Sequence, residues 1–201
     1  MKYISVIFLL IFSLSCSQKK NVENEKIAIV NDKIYGNKLI EDGFLKFANP
    51  TNQDSLKFNL IESFDIYNVE NCKIIHVDAE ELAEFSFDFF MPDLNKVLSK
   101  RDLKIEIKNA DDYESSFDIF MNDEKIKLYT KSELQNNTFW DAASKNFFKR
   151  INQILEEKNI EEKFFLLYGG NDLMAILLTS KQFKIIAKKY ENEKNEIPYL
   201  P

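Results

Sequence analysis

Two short runs constrain this chain more than anything else in it. Phe164–Tyr168 and Leu173–Leu178 are apolar at almost every position and are separated only by Gly169-Gly170-Asn171-Asp172. Neither run alternates, so neither can lie on a sheet with one wet face. Strands of this kind need cover on both sides. The intervening residues are hairpin chemistry, because Gly, Asn and Asp tolerate left-handed backbone. A central hairpin with helices on both faces is therefore expected. Phe139–Lys158, just upstream, supplies one such helix. Its stripe Trp140, Ala143, Phe147, Ile151 and Ile154 recurs at helical spacing, and Thr138 with Asp141 reads as a capping box at its start.

The same grammar recurs earlier. Leu94–Leu103 matches Ile151–Ile160, and Asn122–Leu134 matches Asn171–Phe183. The difference between the two offsets falls in the polar stretch Asn109–Ser116. Each unit reads as a helix, a strand (Leu103–Lys108, then Lys163–Tyr168), an Asn-Asp turn and a returning strand. Each ends at a threonine that opens a capping box, Thr130 with Glu133 and Thr179 with Gln182. The expected fold is α+β: an antiparallel sheet packed by helices, with two helix–hairpin–helix repeats in the C-terminal half. Residues 26–89 read as a β-rich part of the same globular unit as 90–201. Lys26–Val30, Lys33–Tyr35, Leu56–Leu60 and Lys73–Val77 are its expected strands, and Asn31-Asp32 the first turn. Ala79–Phe90 fits a helix through Leu82, Phe85 and Phe89, or a strand through Phe85, Phe87 and Phe89. Pro92 suits the first turn of a helix.

The start of the chain says where it belongs. Met1-Lys2 precedes an apolar run from Tyr3 to Leu14, then Ser15 and Cys16. That run is shorter than the roughly 20 residues a spanning helix needs and matches the core of a secretory signal. Phe12-Ser13-Leu14-Ser15-Cys16 resembles a bacterial lipobox, with Ser13 where the usual pattern has Leu. The resemblance implies removal of residues 1–15, lipid on Cys16, and a solvated tether over 16–25. Ser17 carries no acidic retention signal, so the resemblance favours the periplasmic side of the outer membrane. Acyl chains would hold the protein firmly, since each buried methylene contributes about 0.8 kcal/mol.

Composition excludes several classes. The chain has 27 basic and 33 acidic residues, and loss of Lys2 makes the mature part more negative. No basic stripe offers a nucleic-acid surface. Four glycines, at 36, 43, 169 and 170, leave no phosphate-binding loop. His76 is the single histidine, so neither a multi-histidine zinc site nor an elbow-type catalytic triad is expected. Cys72, without a partner once Cys16 is lipidated, reads as a buried small hydrophobe. Asp111-Asp112-Tyr113-Glu114 lacks the spaced ligands of a calcium loop. No cofactor and no metal are expected.

Over residues 115–198, the tryptophan-started helix with Ala142, Ala143 and Asn146, followed by the apolar hairpin with Asn171-Asp172, faintly resembles the YtpQ-like family of uncharacterised bacterial proteins. The resemblance implies a fold and no activity, and this chain departs from that family in carrying an export signal. The most pointed feature of the mature chain is Tyr168, Gly169, Gly170, Asn171 and Asp172, a candidate recognition tip or simply a tight turn. The functional expectation is a tethered envelope lipoprotein that binds an unknown envelope protein or peptide without catalysis. An immunity-type protein is one form of this. A hydrolase using carboxylates on cell-wall or glycan material is the alternative.

Overall fold

The computed structural model describes residues 31–201. The signal, Cys16, the tether and the strand expected over 26–30 lie outside the described residues. The fold is α+β, with two antiparallel three-stranded sheets packed by helices. Residues 31–41 are helical (α1). Then follow α2 (Gln53–Ser63), β1 (Ile74–His76), α3 (Ala79–Ala83), α4 (Met91–Ser99), β2 (Ile107–Asn109) and α5 (Tyr113–Ser116). The chain continues with β3 (Asp118–Met121), β4 (Glu124–Lys127), α6 (Lys131–Gln135), α7 (Phe139–Glu157), β5 (Lys163–Leu167), β6 (Met174–Leu178) and α8 (Ser180–Lys189).

The apolar hairpin β5–β6 is covered on both faces, as its composition demands. Sheet one has the order β1-β6-β5, with Ile74 opposite Ile176 and Phe164 opposite Leu177. Ile75, Phe164, Leu166, Ala175 and Leu177 face one core, which α4 and α7 close with Leu94, Leu98, Phe147 and Ile151. Ile74, Phe165, Ile176 and Leu178 face the other, which α1, α2 and α8 close with Leu39, Leu56, Leu60 and Ile186. β1 comes from the N-terminal part and β6 from the C-terminal part, so both parts share one sheet. Sheet two, β2-β3-β4, lays Ile119 and Met121 on the first core.

Several expected strands are helices instead. Asn31-Asp32 and Lys33–Tyr35 lie in α1 rather than in a hairpin. Leu56–Leu60 lies in α2. The alternation Leu56, Phe58, Leu60 suggests a strand, but the residues buried are Leu56, Leu60 and Phe64, four apart, while Phe58 is 64% exposed. Helical period wins because the second core lies along one side of this segment only. Ala79–Phe90 begins as the short helix α3, capped by the Asp78 carboxylate, and leaves it at Phe85, whose φ is 63°. Pro92 sits in the first turn of α4.

The two hairpins are not equivalent, so the expected repeat is not reproduced as a unit. Asn122 and Asp123 both have positive φ and form a two-residue turn. Asn171 and Asp172 instead lie in a 3-10 turn, Gly170–Asp172, within a longer connection between Leu167 and Met174. The third strand joins the first strand of one hairpin and the second strand of the other. Of Leu103–Lys108, only Ile107 and Lys108 are in a sheet. The capping boxes at Thr130 and Thr179 form. The one expected at Thr138 does not, because Asp141 turns to Lys145, 2.8 Å away.

Ile151→Ala and Leu166→Ala each empty a fully buried site and are expected to destabilise by about 2–5 kcal/mol. At Gly36 an added Cβ would lie 2.0 Å from the Leu60 carbonyl oxygen, so Gly36→Ala must part α1 from α2, at about 1–3 kcal/mol. Urea unfolding midpoints measure all three.

Candidate functional site

The structure separates the residues of the expected recognition tip. Tyr168 has φ 61° and turns its phenol away, donating to Glu196 at 2.7 Å. Tyr67 donates to the same carboxylate at 2.5 Å. Burial, and then the bond to Glu196, push the Tyr67 hydroxyl well above the ordinary tyrosine range. These phenols tie the C-terminal segment down as protonated donors. The Asn171 carbonyl meets His76 Nε2 at 2.9 Å, and His76 rests edge-on to Phe89, so the one histidine braces the loop. Asp172 is exposed. Gly169 and Gly170 instead border a small pocket of about 210 Å³ with Trp140, Ser144 and Tyr199. Trp140 Nε1 is buried there without a hydrogen-bond partner. Cys72 is buried, as expected.

A larger cleft, about 620 Å³, lies between α1, α4, α7 and α8. Its floor is a charge cluster that no sequence motif announced. Arg101 grips Glu162 through Nε at 2.7 Å and a terminal nitrogen at 2.8 Å. It also donates to the carbonyls of Cys72 and Val97, while its guanidinium lies 4.0 Å above Phe47. Lys73, 1% exposed, donates to Glu162 and to Gln182. Burial pushes the Glu162 carboxyl up. Hydrogen bonds from Arg101 and the charges of Lys73 and Arg101 outweigh it and hold the group below its usual range. Glu162 is a fixed anion, unsuited to donating a proton near neutral pH. The cluster joins the segments before β1, after α4 and before β5, and its chemistry is structural.

The third feature is a groove of about 570 Å³ beside β2. Phe85, Phe87, Met91 and Ile107 line it together with the polar Ser86, Asp88 and Asn109. Along β2, even-numbered residues bond inward to β3: Ala110 N–H reaches Asp118, and the Glu106 carbonyl receives Asn122 N–H. The odd-numbered residues therefore face outward. Ile105 is satisfied by the Asn95 side chain. Ile107 and Asn109 have no backbone hydrogen-bond partner among the described residues. A groove of mixed lining, with Phe85, Phe87 and Met91 as its apolar walls, thus lies beside an open strand edge, which is a template for another extended chain. The spacing of Phe85 and Phe87 was visible in the sequence. Its proximity to an unpaired strand was not.

No family model matches this chain, and no curated protein or solved structure shows significant similarity to it. Among the described residues no helix is long and apolar enough to cross a membrane.

Glu162→Gln leaves Lys73 and Arg101 without their anion. A loss of about 3–5 kcal/mol is expected, as for breaking a buried ion pair from one side. The wild type should also weaken in acid. A folded pKa held below the unfolded value makes the Glu162 contribution complete above the ordinary value of 4.5. It is lost as pH falls through the lower folded value. Urea midpoints across this range should fall less steeply in Glu162→Gln than in the wild type.

Proposed function

We propose that this chain is a membrane-tethered envelope lipoprotein whose folded part binds a protein or peptide without catalysis. The observation carrying the reading is the groove beside β2, where the apolar walls Phe85, Phe87 and Met91 lie next to the outward backbone groups of Ile107 and Asn109. Buried apolar surface and unused backbone donors and acceptors together suit a polypeptide ligand better than a small solute. The signal ending at Ser15-Cys16 supports the tether, and an immunity-type role against an envelope-directed toxin is one form this binding can take. A carboxylate hydrolase is the weaker reading. Glu162, the carboxylate at the floor of the cleft of about 620 Å³, is committed to Arg101 and Lys73.

Two measurements test this. Cys16→Ala should move the protein from the membrane to the soluble fraction. A photoreactive side chain at Ser86, which lines the groove, should give a discrete protein adduct in the native envelope, whereas the same group at the exposed Lys158 should not. Release of fragments from cell-wall glycan by the purified protein, with no adduct at Ser86, would reverse the choice in favour of the hydrolase.

A further inference from the structure

The two sheets guard their outer edges with the same device. In β5 the outward residues are Phe164 and Leu166. Asn152 of α7 clamps Phe164, accepting its N–H on Oδ1 at 2.6 Å and donating Nδ2 to its carbonyl at 2.9 Å. Two residues on, Leu166 makes both backbone bonds, each 2.8 Å, to Tyr199 of the C-terminal segment. In the extended stretch that leads into β2, Asn95 of α4 clamps Ile105 in the same way, at 2.8 and 2.9 Å. Two residues on stands Ile107, outward and open.

Asn95 and Asn152 hold corresponding places in the aligned stretches Leu94–Leu103 and Ile151–Ile160. What recurs is this local device rather than the whole unit. Counted two residues on from each clamped residue, rather than along the aligned sequences, where Ile107 falls opposite Phe164, the position beside Ile107 matches the seat that Tyr199 takes beside Leu166.

We propose that the β2 edge binds an extended segment of a partner protein, which pairs its backbone with Ile107 and Asn109 and seats an apolar side chain among Phe85, Phe87 and Met91. This deepens the peptide-binding reading above and rests on it. The chain's own C-terminal segment shows the geometry on β5. It is not the occupant of β2, because a second copy would have to strip Tyr199 from Leu166 to supply it. Asp88 is the one charged side chain bordering the groove, so basic residues flanking the apolar one are favoured over acidic ones.

The test uses the isotope-labelled mature chain and the end-blocked peptide acetyl-Lys-Val-Phe-Val-Lys-amide. Binding should shift the Ile107 and Asn109 amide resonances and slow their hydrogen exchange by at least about tenfold. The Leu166 amide, already paired, should not change. A peptide N-methylated at alternate residues should lose binding. So should Asn109→Pro, which removes an outward N–H that the ladder does not use; its Leu166 amide should stay protected, showing an intact fold. Absence of shifts at Ile107 and Asn109, or equal binding by the N-methylated peptide, overturns strand addition. In the envelope, a Ser86 adduct that persists in Asn109→Pro overturns strand addition while sparing the binding role. Loss of the adduct in that variant supports both.

Discussion

A hairpin that is apolar on both faces cannot be stable alone, and the rest of this fold follows from covering it. Phe164, Leu166 and Leu177 face one way, Phe165, Ile176 and Leu178 the other, and all are buried. Two separate helical layers are needed, and the chain draws them from different places. α4 and α7 close one side, while α1, α2 and α8 close the other. β1 extends the sheet from the N-terminal part. The hydrophobic contribution is non-directional, so it explains the layers but not how they are held in register.

Polar groups do that. The Arg101–Glu162–Lys73 cluster joins three connecting segments at the join between layers, and Gln182 bonds both Lys73 and the Asp42 carbonyl. Buried ions of this kind add little net stability compared with apolar packing, yet removing one partner is severe. The two asparagine clamps act on the same principle at the sheet edges. Each replaces a missing strand with one side-chain amide, which has both a donor and an acceptor. β5 then takes Tyr199 as further cover, and Glu196 with Tyr67 and Tyr168 anchors the segment that brings it.

The contrast between the edges links the fold to the proposed role. β4 presents Glu124, Lys125 and Lys127, charges that discourage edge-to-edge pairing. β5 is closed by Asn152 and Tyr199. β2 is closed only at Ile105; its one charged residue, Lys108, alternates to the sheet face opposite Ile107 and Asn109, and its open stretch borders the apolar walls of Phe85, Phe87 and Met91. Ile74 and His76 of β1 also face outward without backbone partners among the described residues, but it is the β2 edge that borders a groove walled by apolar side chains, and that combination is a surface suited to a partner.

Much of the fold could be read from residue patterns. The apolar hairpin, the α7 stripe from Ala143 to Ile154, the Asn122-Asp123 turn and the capping boxes at Thr130 and Thr179 depend on local chemistry that neighbours in sequence determine. Leu56–Leu60 reads as a strand and is a helix, because a short alternation fits two periods until a core selects one. The candidate site was largely illegible. The glycine tip was conspicuous, yet Tyr168 left it for Glu196, a partner far along the chain. Lys73, Arg101 and Glu162 are ordinary surface residue types in sequence, and only folding brings them together and removes water from around them. The open edge of β2 is defined by what does not pair with it, and strand pairing between distant segments is settled by tertiary packing alone.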